Sequence, residues 1–320
     1  MDKKVLLIDT MHPFFSELLI KEGFSIVDGT QFSKEEVLSV LDQFQGVALR
    51  SRILFDQACI NAAKNLKFIA RAGAGMESID VDCAEKNNIC CINSPEGNRD
   101  ALAEHAMGMI LSLLNRLHIA DKQVRNGNWI REGNRGYELG GKTIGILGYG
   151  NMGQAFAKRL KGFDVQVLTY DKYKTNYTDE FAVEASMERL FAETDILSLH
   201  LPLTDETNYL IDNGFLNAFH KPIYLINTAR GKIVDTSAVV QNLQSGKVLG
   251  AALDVLEFEK YSFENLLSNQ ENIPTSLSYL LKSEQVILSP HIAGWTHESN
   301  EKIASVLVDK ILKFYQSVKN

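Results

Sequence analysis

The stretch Ile144-Gly-Ile-Leu-Gly148-Tyr-Gly150-Asn-Met-Gly153-Gln154 decides the fold of this 320-residue chain. A short apolar run at strand spacing, residues 144–147, enters G-x-G-x-x-G, and residues 154–160 continue with apolar positions at helical spacing. Each glycine has a physical task in that context. Gly148 permits the tight turn, Gly150 lets the backbone approach a pyrophosphate, and Gly153 lets helix and strand pack closely, with the helix N-terminus facing the phosphate charge. A glycine-rich turn alone also fits a plain strand-to-helix corner. The second element is Asp171, which follows the next apolar run (165–169) and lies 23 residues beyond Gly148. A carboxylate there accepts hydrogen bonds from the adenosine ribose and repels a 2′-phosphate, so the expected cofactor is NAD rather than NADP. Lys172 and Lys174 are read as solvated loop charges.

Outward from this turn, apolar runs at 196–199, 223–227, 250–254 and 286–288 join 144–147 and 165–169 to give six strand candidates, enough for a dinucleotide-binding sheet. Upstream, runs at 5–8, 46–49, 68–70 and 89–92 alternate with helical patterns at 34–44 and 57–64, the signature of βαβ units. The expected fold class is therefore α/β, with two doubly wound parallel sheets. Residues 100–127 read as one extended helix connecting the domains, and 299–318 as an amphipathic helix returning to the first domain. The expected boundaries are 1–98 with 293–320 for the substrate domain and 99–292 for the NAD-binding domain.

With 45% hydrophobic and 23% charged residues the chain can bury two cores, and a net charge of -7 leaves no electrostatic footprint for nucleic acid or an anionic membrane. No apolar run approaches the roughly 20 residues of a membrane span, and the opening Met1-Asp-Lys-Lys with apolar 5–8 is too short for a signal peptide. A cytoplasmic protein acting on a small molecule is expected. Cys59, Cys83, Cys90 and Cys91 have neither C-x-x-C spacing nor a nearby His cluster, so they read as reduced structural thiols, and no metal is expected.

Three polar residues stand just past strand candidates in the second half, where open parallel sheets bind ligands. Arg230, in Asn227-Thr-Ala-Arg-Gly231, offers a planar fork for a carboxylate or 2-keto group. His291, in Ser289-Pro-His-Ile292, is a natural proton donor and acceptor, and Glu259 is the candidate carboxylate that orients it. Taken singly, each also fits a structural role: a helix cap, a solvated acid, a core histidine.

These segments resemble the D-isomer-specific 2-hydroxyacid dehydrogenases over nearly the whole chain, through the glycine turn, His200-Leu-Pro-Leu-Thr204, Asn227-Thr-Ala-Arg-Gly231, Ala252-Leu-Asp-Val255 and Pro290-His-Ile-Ala-Gly294. The resemblance implies a flavodoxin-like substrate domain beside a Rossmann-like NAD-binding domain, with Arg230, Glu259 and His291 as the catalytic triad. It further implies that Gly148, Tyr149, Gly150, Asn151, Met152 and Gly153 meet the pyrophosphate. Asp171 would meet the ribose, while His200, Pro202, Thr207, Thr228, Ala229 and Gly294 line the groove and Asp254 meets the nicotinamide amide. Ala74 and Gly75, in Arg71-Ala-Gly-Ala-Gly-Met76, would hold the substrate carboxylate through backbone N–H groups.

Within the family the likeness is to phosphoglycerate dehydrogenases, because Arg50, Arg71 and Arg131 fall where those enzymes place basic residues near a substrate phosphate. That implies oxidation of 3-phosphoglycerate as the first step of serine biosynthesis, in a homodimer or homotetramer, and no room after Val318 for a C-terminal regulatory domain. Two other readings stand beside it: a glyoxylate or hydroxypyruvate reductase, and an NAD-sensing corepressor-like binding protein. The segment 260–285 is longer than is usual in the family, which leaves Glu257 as an alternative to Glu259. Trp295 is bulkier than the residues often found there and would wall the substrate pocket.

Overall fold

The computed structural model describes residues 3–259 and 273–317. The chain divides into two compact units, Met1–Asn98 with Trp295–Asn320, and Arg99–Gly294.

In the first unit β1 (Lys4–Leu7), β2 (Ser25–Asp28), β3 (Gly46–Leu49), β4 (Phe68–Arg71) and β5 (Cys90–Asn93) form a five-stranded sheet in the order β2-β1-β3-β4-β5, with every pairing parallel. This is the flavodoxin-like order. Strand alternation sends Leu6, Val47, Leu49 and Ile69 to one face, against Val37 and Ile60 of the helices Lys34–Val40 and Gln57–Ala62. Val5, Leu7, Ala48, Phe68 and Ala70 face the other way, against Phe15 and Leu19 of Pro13–Lys21 and Ile303, Leu307 and Ile311 of His297–Ser317. Burial on both faces is why these strands read as unbroken apolar runs. β2 escaped the sequence reading because it is an edge strand, half-exposed and polar at both ends. All four cysteines lie in this unit as free thiols, and burial pushes Cys59 and Cys91 up to about 11, which disfavours the thiolate.

In the second unit β6 (Thr143–Leu147), β7 (Gln166–Tyr170), β8 (Val183–Glu184), β9 (Ile196–Leu199), β10 (Ile223–Asn227), β11 (Val248–Leu253) and β12 (Val286–Leu288) form a parallel seven-stranded sheet ordered β12-β11-β10-β9-β6-β7-β8. The sheet has one strand more than the six expected. β8 is a two-residue edge strand, too short to leave a periodic signature. Leu147, Leu168, Leu197, Leu225 and Leu253 pack on one face, and Ile144, Ile146, Val167, Ile196 and Ile226 on the other. Because β9 and β7 flank β6 on opposite sides, the chain changes direction across the sheet at β6 and opens a crevice beyond the C-terminal strand ends there.

The single helix expected over 100–127 is instead two, Pro95–Leu114 and Leu117–Arg125. Neither Gly nor Pro marks the break. Arg116 adopts a left-handed conformation (φ 53°), and the Leu114 carbonyl, which a continuing helix would use, accepts a hydrogen bond from Tyr137 N at 3.0 Å. Among the described residues no helix is long and apolar enough to cross a membrane.

Candidate active site

The glycine turn sits at the crevice. Gly148 follows β6 with φ 89°, and a Cβ there would stand 2.5 Å from the His200 carbonyl. At Gly153 a Cβ would meet the Gly148 carbonyl at 2.1 Å, so the helix Asn151–Leu160 approaches the strand only because that atom is missing. A Cβ on Gly150 meets nothing within 4 Å, and no side chain caps the helix N-terminus that begins beside it. Its first N–H groups, including those of Asn151 and Met152, therefore face open space suited to a pyrophosphate. Thr228 Oγ1, just past β10, is buried with no hydrogen-bond partner, as expected of an atom that meets a ligand. The residues present fit a dinucleotide.

Asp171 closes β7 in register with the turn, since Leu147 pairs with Tyr170. Its Oδ2 accepts Tyr149 N at 2.9 Å and its Oδ1 accepts Tyr173 N at 3.0 Å, which fixes the carboxylate beside the glycines. Tyr149 is buried and donates its hydroxyl to Asp179 at 2.8 Å. Of the two following lysines, Lys172 is solvent-exposed as expected, with its Nζ 2.8 Å from Glu206, while Lys174 is only partly exposed and its Nζ donates to Tyr149 O at 2.6 Å. On the other flank, burial pushes the His200 imidazole down to about 3, so it is neutral and brings no charge to the pyrophosphate. Its Nε2 meets Ser198 Oγ at 2.9 Å, while Nδ1 has no partner. Thr207 Oγ1 donates to the Pro202 carbonyl at 2.6 Å and shapes the loop after β9.

Arg230, Asp254, Glu259 and His291 follow the adjacent strands β10, β11 and β12, whose ends are in register (Asn227 with Leu253, Leu253 with Leu288). Neighbouring parallel strands lie about 4.8 Å apart, so these loops share one edge of the sheet. His291 Nδ1 meets Glu259 Oε2 at 2.8 Å, with both side chains partly buried. Glu259 Oε1 in turn accepts the Leu256 backbone N–H. Glu257, the alternative left open by the sequence, is committed elsewhere: it accepts Tyr209 OH at 2.9 Å and Thr236 N at 3.1 Å. Of the longer segment 260–285, residues 260–272, with Lys260, lie outside the described residues.

His291 has φ 56°, a left-handed conformation held from beneath by Asp254. The Asp254 carbonyl accepts His291 N at 2.8 Å. Its carboxylate, only 1% exposed, accepts Ile292 N at 2.9 Å, Ala293 N at 2.8 Å and Ser289 Oγ at 2.5 Å. Ser289 Oγ also meets His105 Nε2 at 3.0 Å. Asp254, expected at the nicotinamide amide, is thus observed latching the loop that carries His291. The buried Asn227 does the same for Arg230, accepting Ala229 N at 3.0 Å and donating to the Arg230 carbonyl at 2.9 Å. Ser289, His105 and Asn227 went unnoticed in the sequence as supports, although Ser289 and Asn227 stand inside quoted motifs.

In the first unit, considered alone, Gly73 (φ 137°) exchanges hydrogen bonds with Ser94, and Asn93 Nδ2 donates to the Ala74 carbonyl at 2.6 Å. Among the described residues nothing accepts from the Ala74 and Gly75 N–H groups, which suits an anion nest. Arg50 and Arg71 belong to neighbouring strand ends, Arg71 pairing with Leu49. Arg50 Nη2 donates to Asn300 Oδ1 at 2.6 Å, its guanidinium lies 4.9 Å from the Trp295 ring centroid, and its Nε is buried without a partner. Arg131, in the second unit, is exposed, and Gly294 ends that unit.

A family model described as the NAD binding domain of D-isomer specific 2-hydroxyacid dehydrogenases matches residues 107–293. D-3-phosphoglycerate dehydrogenase of Archaeoglobus fulgidus is 33% identical over 311 residues, covering 97% of this chain and 56% of that protein. The chain therefore spans about half the length of that relative. Hydroxypyruvate reductase of Thermotoga maritima is 33% identical over 298 residues, 93% of this chain and 94% of that one. The solved structure of D-2-hydroxyisocaproate dehydrogenase matches with a TM-score of 0.86 at 26% identity, over 99% of this chain and 98% of its own.

Proposed function

The chain belongs to the D-isomer specific 2-hydroxyacid dehydrogenases and holds NAD in its second unit, and from this we propose that it interconverts a D-2-hydroxy acid and its 2-keto acid. The single observation that carries the reading is the 2.8 Å contact between His291 Nδ1 and Glu259 Oε2 on the strand end beside Arg230. With Nδ1 engaged by a carboxylate, proton exchange with substrate falls to Nε2. In reduction His291 gives a proton to the C2 oxygen; in oxidation it takes one from the C2 hydroxyl, and Glu259 faces the positive charge the ring then carries. Arg230 offers its fork to the substrate's carboxylate and polarises the carbonyl. The bound nicotinamide supplies or accepts the hydride at C2.

Our leading substrate pair is 3-phosphoglycerate and 3-phosphohydroxypyruvate, which gives the protein a cytoplasmic role at the entry to serine biosynthesis. Arg50 supports this: among the described residues it has no carboxylate within ion-pair distance, although its Nε is buried. A cation so placed suits a second anionic group. A hydroxypyruvate or glyoxylate reductase is the second reading, favoured by the Trp295 ring over that guanidinium and by the 33% identity to the Thermotoga maritima hydroxypyruvate reductase over 298 residues. The test is NADH oxidation at 340 nm with 3-phosphohydroxypyruvate, hydroxypyruvate, glyoxylate and 2-ketoglutarate side by side. We expect the highest kcat/KM with the phosphorylated acid. Preference for hydroxypyruvate or glyoxylate retires the phosphate reading, and tight NADH binding without turnover of any acid supports a sensor.

The proposed partners are this small acid and a second copy of the chain, with neither nucleic acid nor membrane involved. Self-association is supported by Leu117, Val124, Trp129, Ile130 and Tyr137, large apolar side chains exposed within one short stretch of the second unit. Sedimentation equilibrium at micromolar protein should give a dimer or tetramer mass, and a monomer would remove this proposal.

A further inference from the structure

We propose that Glu206 is a cofactor-specificity residue: it neutralises Lys172, the cation next to the ribose carboxylate, and so keeps a latent 2′-phosphate site closed. β7 and β9 flank β6, so the segments that follow them, 171–174 and 200–207, stand on either side of the glycine turn. Lys172 Nζ and Tyr173 OH both reach Glu206 Oε2, at 2.8 and 2.7 Å, which bridges the two segments across the crevice.

Glu206 is held there by its own turn. Thr207 Oγ1 accepts Thr204 N at 2.8 Å and donates to the Pro202 carbonyl at 2.6 Å, and Asn208 N donates to the Thr204 carbonyl at 2.9 Å. The other nearby cation, Lys174, is engaged by the Tyr149 carbonyl. Lys172 and Glu206 are both more than half exposed, and such pairs contribute little to stability. The consequence of the pair is therefore electrostatic and local to the ribose.

A 2′-phosphate carries nearly two negative charges and needs a cation. Asp171, Lys172, Lys174 and Glu206 sum to a local charge of zero (-1 +1 +1 -1), with one ammonium paired to Glu206 and the other held by the Tyr149 carbonyl. Glu206→Gln brings the sum to +1 (-1 +1 +1) and releases the Lys172 ammonium to a phosphate one residue from Asp171. Asp171 remains, so the variant gains tolerance of the phosphate while keeping its contacts to an unmodified ribose.

The test uses the full chain and calorimetric titration with 2′,5′-ADP and 5′-AMP, and NADPH and NADH followed by nucleotide fluorescence. In Glu206→Gln, 2′,5′-ADP and NADPH should bind about fivefold more tightly, the size of one charge contact at a few ångströms in water, while 5′-AMP and NADH stay within about twofold. Adding Lys172→Ala should erase the gain. Unchanged 2′,5′-ADP affinity in Glu206→Gln overturns the proposal, as does a gain that persists without Lys172. Failure of the unaltered protein to bind either 5′-AMP or NADH would overturn the dinucleotide site itself and this proposal with it, an outcome distinct from the other two.

Discussion

Changing His291 to asparagine lowers kcat by about a thousandfold while the Kd for NADH stays within about twofold, because the variant loses a proton-transfer group and nothing that holds the dinucleotide. Asparagine is the informative replacement. His291 has φ 56°, a conformation that asparagine tolerates and alanine resists at about 1 kcal/mol, so alanine would confound lost chemistry with a strained loop. The Asp254 carbonyl can still accept the backbone N–H of residue 291, and Asp254 still holds Ile292 and Ala293. The loop therefore stays in place. Steady-state kinetics with the best 2-keto acid, alongside NADH titration, measures both quantities. A kcat within about tenfold of the unaltered protein would show that the proton moves by another route.

Local sequence revealed what depends on contiguous residues. The dinucleotide turn was legible because an apolar strand, three spaced glycines and a helix occur within 17 residues, 144–160. Arg230 and His291 were legible because each follows an apolar run and parallel sheets bind ligands at that end. What escaped depends on partners far along the chain. The break at Arg116 follows from a bond between Tyr137 and Leu114, and no residue beside Arg116 announces it. The Lys172–Glu206 pair joins residues 34 apart, so no local pattern announces the lysine's partner. The choice between Glu257 and Glu259 also required three dimensions: Tyr209 and Thr236 claim the first, and His291 meets the second. Edge strands β2 and β8 were lost because one side of each lacks the burial that writes an apolar pattern.

Asp254→Asn should lower kcat by about a hundredfold and stability by about 2 kcal/mol, because it damages the support of His291 without touching the imidazole. The carboxylate receives Ser289 Oγ and Ile292 N on Oδ1 and Ala293 N on Oδ2, all inside a site with 1% exposure. An amide must turn its NH2 toward one of those sides. The Ser289 hydroxyl can rotate to accept from it, but neither backbone N–H can, so one buried donor loses its acceptor whichever way the side chain flips. Relief comes from moving the 289–293 loop, which carries His291 off its hydrogen-bonding distance to Glu259 and costs rate through lost alignment. Urea denaturation reads the stability change and steady-state assays read kcat. NADH titration separates this account from the family-based expectation for the same residue. If Asp254 acts as a latch, Kd for NADH barely moves while kcat falls; if it binds the nicotinamide amide, Kd rises with little loss of stability. Normal kcat and normal stability together would mean that the loop holding His291 does not depend on this carboxylate.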